Sequence, residues 1–256
     1  MSQARYHRKH LLLVLCLGGL IGYGAHHAIY TGLHAPEQPL LSEETAAPEP
    51  VAPAQDLEQL RKDLSTRFIG DPRTLGEKLR DFVADNAIAQ TIPLACKVIA
   101  DLAENPDALS NQELVELYQS QTHAELKRVV AQVLSLRGDN QLLDAYVAET
   151  AQALKSTNPV AQRAGLQALA KTRFAGAALV VVPVLQSSDT SVLLDALLAL
   201  RATGNESHLG ALEPLLNHSD ASVSWLAQDA YKQLQNLSTR ARTQISLADL
   251  SAELPV

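Results

Sequence analysis

The side chains best suited to chemistry in this 256-residue chain are eight histidines and two cysteines, and their spacing argues against most catalytic uses. No histidine is followed by Glu, so no H-E-x-x-H zinc helix can form. The sequence also lacks C-x-x-C, G-x-S-x-G and a phosphate-cradling glycine loop. His26, His27 and His34 are close enough to meet a metal, but they follow an apolar run and lead into a Pro-rich stretch, which suits a solvated or interfacial place better. Cys16 lies inside the apolar run. Cys96, in IPLACKVIADL, therefore forms no internal disulfide and reads as a buried, inert thiol. Arg137-Gly138-Asp139 has the letters of an adhesion tripeptide, yet Gly-Asp-Asn is ordinary turn chemistry. The N-x-S sequons at Asn205, Asn217 and Asn236 matter only in a eukaryotic secretory host. On this reading no catalytic residue, metal ion or cofactor is expected.

The elements that would position any site are helical. The chain has 38 Ala and 44 Leu but only 10 aromatic residues. Ala and Leu favour helices, whereas aromatic and β-branched residues favour strands, so an all-α protein is expected. Two cysteines exclude a disulfide framework. A net charge of −7 argues against a nucleic-acid grip, which needs clustered Lys and Arg.

The N-terminus sets the expected compartment. Residues 1–10 carry Arg5, Arg8 and Lys9 without an acid, as a cytoplasmic basic tail would. An apolar run follows from Leu11 to Ala25 and continues, past His26-His27, to Leu33. At about 1.5 Å per residue, residues 11–33 would reach about 34 Å, enough to cross a bilayer. That pattern predicts a single-pass signal-anchor in the inner (cytoplasmic) membrane, with secretion to the periplasm after signal cleavage as the alternative. No further basic residue appears before Arg61, so either way the C-terminal bulk is expected outside the cytoplasm. Gly18 and Gly22 form a G-x-x-x-G pair that would permit weak self-association of anchors. Residues 34–54 hold five prolines and, at Glu37, Glu43, Glu44 and Glu49, four acids. They read as a tethering linker spanning about 60 Å if polyproline-like, at about 3.1 Å per residue.

From Gln55 onward, apolar residues recur at helical spacing with breaks at Gly70-Asp71-Pro72, Asn105-Pro106, Gly138-Asp139-Asn140, Asn158-Pro159, Ser188-Asp189 and Ser219-Asp220. Residues 180–201 align with 211–232 at an offset of 31: Pro183 with Pro214, Leu185 with Leu216, Asp189 with Asp220, Val192 with Val223, and Ala196 with Ala227. Val160 and Ala164 precede Val192 and Ala196 by 32, and residues 134–137 echo 198–201 at 64. Residues 55–121 show helical hairpins without a clean repeat and are expected to cap one end of the stack. The tail from Leu237, with Leu247, Leu250 and Leu254, is expected to cover the other.

Over residues 122–236 this pattern resembles HEAT repeats, especially the short HEAT-like type of phycobilin-lyase relatives. The carrying residues are Pro183-Val184-Leu185 and Pro214-Leu215-Leu216, each followed by Ser-Asp-x-x-Val and then Ala196-Ala199 or Ala227-Ala230. The Arg that commonly follows the Val in that family is Leu193 and Ser224 here, which departs from its surface contacts. The resemblance implies a right-handed α-solenoid. The histidine–glutamate pairs of iron-binding HEAT-like hydroxylases are absent.

In such a stack the second helix of each hairpin lines the binding face. Val223, Ala227, Ala230 and Leu234 make a buried stripe in the last repeat, and Trp225 points about 160° away from it at about 100° per residue. Leu194 is its counterpart one repeat earlier. The candidate partner-binding residues are therefore Leu194, Asp195, Leu198, Trp225, Gln228, Asp229 and Lys232. The competing expectation is that flanking repeats or the Leu-rich tail cover them. The function expected is a non-catalytic, membrane-tethered scaffold that docks a protein of the cell envelope. The alternative is a HEAT-like enzyme or ligand-binding protein whose groove spans several repeats, for which Asp195 and Asp229 are the second-helix acids nearest the groove.

Overall fold

The computed structural model describes residues 72–85 and 91–254, all within the unit Ala52–Val256. The expected anchor at 11–33 and linker at 34–54 lie outside the described residues. Among those described, no helix is long and apolar enough to cross a membrane. The described residues form eleven α-helices and four 3-10 turns without a strand, so this part of the chain is all-α as the Ala/Leu content predicts.

Helices α1 (Leu75–Asp85), α2 (Thr91–Asp101) and α3 (Asn111–Ser120) precede α4 (Ala124–Leu136). α1 packs on α3, and α2 and α3 both pack on α4. Helix α5 (Gln141–Thr150) runs into the 3-10 turn Ala151–Lys155 and is followed by α6 (Pro159–Ala170). The same unit recurs as α7 (Ala175–Val181), the turn Val182–Gln186 and α8 (Thr190–Thr203). It recurs again as the turn Glu206–His208, α9 (Leu209–Leu212), the turn Glu213–Leu215 and α10 (Ala221–Leu234). α8 packs against α6 on one side and α10 on the other. Helix α11 (Leu247–Ala252) ends the described chain.

Local chemistry accounts for these boundaries. Asn158, Asp189 and Asp220, each 31 residues after the last, are the N-caps of α6, α8 and α10. Their carboxyl or amide oxygens accept from the amides of Val160, of Ser191 and Val192, and of Ser222 and Val223. Each cap satisfies amides that have no partner inside the helix. The three 3-10 turns that end the first helices start at Ala151, Val182 and Glu213, again 31 apart. Pro183 and Pro214 lack the N–H that would continue the α-helical ladder, so the chain tightens there. Helix α4 ends where Gly138 takes φ +96. The amide of Asp139 then donates to the Leu134 carbonyl and that of Gly138 to Ser135, which is a Schellman stop.

The step from α6 to α8 is 31 residues, not the 32 expected from Val160 and Ala164. A one-residue shift turns a helix by about 100°, and Val160 is 72% exposed while Val192 is fully buried. In the cap register Gly165, Ala196 and Ala227 are equivalent, and all three are buried. Thr172 and Thr203, also 31 apart, are fully buried and donate back to the carbonyls of Leu169 and Ala199.

The tail does not simply cover the far end. After α10 it turns back across the C-terminal ends of α8, α6 and α4, and α11 packs against α4. Its own Ile245 and Leu250 are buried against the helices, while Leu247 stays 43% exposed.

Candidate functional site

Four of the seven predicted partner-binding residues share one face of α10, since Trp225, Gln228, Asp229 and Lys232 are spaced for a single helical face. Trp225 is 68% exposed, and Gln228 and Lys232 are exposed beside it. On α8, Leu198 is 45% exposed, whereas Leu194 is half-buried and packs on the core. Neither a flanking repeat nor the tail covers Trp225, so the competing expectation for that residue fails.

The two acids have different work. Asp195 pairs with Arg163 of α6 at 2.7 Å, and Asp229 pairs with Arg201 of α8 at 2.8 Å. Each carboxylate joins its helix to the preceding one and is already neutralised, which removes both as free acids in a groove. Gln228 donates to the Leu216 carbonyl at 3.0 Å, where it meets the Ser224 hydroxyl. What remains exposed is Trp225 on α10, with Lys232 on the same helical face, and Leu198 on α8, where Leu194 is half-buried. An aromatic anchor with a polar rim is what a protein-docking surface uses.

Elsewhere the chemistry-bearing residues are consumed by structure. Burial pushes the Cys96 thiol up to about 12, so almost no thiolate exists near neutral pH. Arg137 donates to the carbonyls of Leu102, Ala103 and Leu109 and to Asn111 Oδ1, leaving no adhesion tripeptide on display. A cleft of about 650 Å³ is lined by Arg73, Glu77, Asp107, Ser110, Glu113 and Glu116. Burial works against the Glu113 carboxylate, but hydrogen bonds from Ser110, Thr74 and Gly76 outweigh it and hold the group below the usual range. Glu113 thus closes the capping box of α3. Among the described residues no group of three or more His, Cys, Asp or Glu is placed to hold a metal ion.

The sequence reading missed a set of arginines that hold helix ends. Arg128 is fully buried, donating to Gln132 Oε1, Glu125 Oε1 and the carbonyls of Lys171 and Glu253. Arg242, at φ +62, donates to the carbonyls of Arg201 and Gly204. The sequence carried little signal for the first, since Glu125, Arg128, Gln132 and Ser135 fall on one face of α4 and read as a polar, solvated stripe. No family model matches this chain, and no curated protein matches it. Among solved structures, the crystal structure of an engineered protein is similar to it at 22% identity, over 71% of this chain and 97% of that chain, with a TM-score of 0.33, too slight a likeness to assign a fold family.

Proposed function

We propose that this chain is a non-catalytic scaffold of the cell envelope: an α-solenoid of HEAT-like hairpins, tethered outside the cytoplasm by residues 11–33, that docks a protein partner through the α8–α10 face. The 31-residue recurrence of caps and 3-10 turns supports the repeat reading, and the basic residues ahead of the apolar run support the placement. The observation that carries the docking role is Trp225, 68% exposed on a helix whose other large apolar side chains are buried or half-buried. A lone exposed Leu is ordinary, but a tryptophan held on the outside of a rigid helix has the area to anchor an interface.

Cross-linking and capture of the full tethered chain from membranes tests this reading. Trp225→Ala with Leu194→Ala should reduce recovery of the partner about tenfold or more, since hot-spot losses of about 2 kcal/mol exceed the 1.4 kcal/mol of a tenfold change. Equal recovery by wild type and the double variant would sink the docking face. Protease accessibility of residues 72–254 from the outer side of intact spheroplasts checks the placement. Protection of that region would reverse it.

A further inference from the structure

The tail is held in a way that resembles a bound ligand. Asn205 Nδ2 donates to the carbonyls of Thr239 and Ala241 at 2.9 and 3.0 Å. Asn140 Nδ2 donates to the Thr243 carbonyl at 2.9 Å, and the Ala175 amide to the Arg242 carbonyl at 2.7 Å. Arg128 Nη2 donates to the Glu253 carbonyl at 2.6 Å. The helical body therefore recognises the tail largely by its main chain, through donors set along the ends of α8, α6 and α4. Five tail side chains add selectivity: Arg242 donates to the carbonyls of Arg201 and Gly204, Gln244 donates to the Leu136 carbonyl, and Ile245, Leu250 and Glu253 complete the set. Ile245 is 3% exposed, Leu250 is fully buried, and the Glu253 carboxylate pairs with Arg173. Arg173 itself sits at φ +53, a conformation that costs a non-glycine residue about 1 kcal/mol or more and persists only where contacts enforce it.

We propose that this seam is a peptide-binding groove which the chain fills with its own residues 239–253, and that its trans ligand is a protein segment with the same pattern. That pattern is an arginine in a turn, an aliphatic residue three positions on, a second aliphatic five positions further within a helical turn, and a carboxylate three positions later. The tail seated there defines this chemistry: two apolar seats, main-chain acceptors facing Asn140, Asn205 and Arg128, and one acid facing Arg173. The groove is separate from the Trp225 face. Because the tail joins α10 through only Asn236–Ser238, it competes at an effective concentration of about millimolar, so a trans segment gains access mainly when the tail is weakened or better contacts replace it.

The test uses the full chain and a fluorescent synthetic peptide of residues 237–254. Wild type should bind it weakly. The Ile245→Asp, Leu250→Asp chain keeps the groove but unseats its own tail, and it should bind the peptide about tenfold or more tighter. A peptide carrying Glu253→Lys should lose about tenfold on that chain and regain it when Arg173→Glu is added, a charge-swap rescue that a purely structural role would not give. Binding no tighter than wild type by a chain folded by circular dichroism, or equal binding of a scrambled peptide, overturns the proposal. Should the double variant fail to fold, hydrogen exchange on wild type decides. Amides of Ile245 and Leu250 opening about tenfold or more faster than those of α8 support the groove, and exchange in step with α8 overturns it.

Discussion

Arg128 concentrates the residue-scale energetics, because its guanidinium is fully buried and serves four acceptors from three segments. Arg128→Met would leave Gln132 Oε1 and the Glu253 carbonyl short of a donor, while the Lys171 carbonyl keeps Gln132 Nε2, and breaking such a set costs about 3 kcal/mol or more. Urea denaturation should show that loss, with a change under about 1 kcal/mol ruling out the role. His208 supplies a pH signature. Burial holds its imidazole below the ordinary value, where its Nδ1 meets the Asn205 amide. The unfolded chain takes up its proton near pH 6.5, before the folded chain does. Stability from this group is therefore full above about pH 6.5 and declines as pH falls toward the lower folded value. His208→Gln should flatten that decline between about pH 7.5 and about pH 5.5, read from urea midpoints. At this scale Cys96 was legible from its apolar neighbours, whereas the helical wheel turned Trp225 away from the buried stripe without deciding whether neighbouring segments cover it. Arg128 was not, since an arginine defaults to the surface until its partners from distant segments are known.

At the scale of elements, the caps are the cleanest lever. Asp189→Ala and Asp220→Ala each remove an acceptor serving two amides and should cost about 1 kcal/mol apiece. They cap different helices, so the double variant should add to within about 0.5 kcal/mol by thermal or urea melts. Gly204 tests the helix end differently. A Cβ there would stand 2.7 Å from the Leu200 carbonyl and 2.9 Å from Leu234 Cδ1, both fixed by packing. Gly204→Ala should therefore destabilise, opposite to the gain usual for Gly→Ala at open sites. A melting temperature equal to or above wild type would refute that. The cap residues and the proline breaks made the period readable in sequence, because Asp and Pro act locally. The 32-residue step failed because Val160 and Ala164 were matched by type alone. Burial depends on which face meets α8, and the cap at Asn158 was the better guide.

Across the whole molecule, an all-α chain was legible from Ala and Leu against few aromatics, while the path of the tail was not. Its three leucines marked it as apolar, but the residues that receive it, Asn140, Arg173 and Asn205, lie in turns that look like solvated breaks. Most contacts in this chain join neighbouring helices, and they can form as soon as each hairpin exists. The tail's contacts are of another kind: Asn140 to Thr243 spans 103 residues, and Arg128 to Glu253 spans 125. Such contacts must wait for the intervening chain, since loop closure precedes any gain from them. An array of helices packed each on the next tends to fray from its ends. Here residues 239–253 reach back to α4, so the assembly becomes cooperative only once that segment has been delivered.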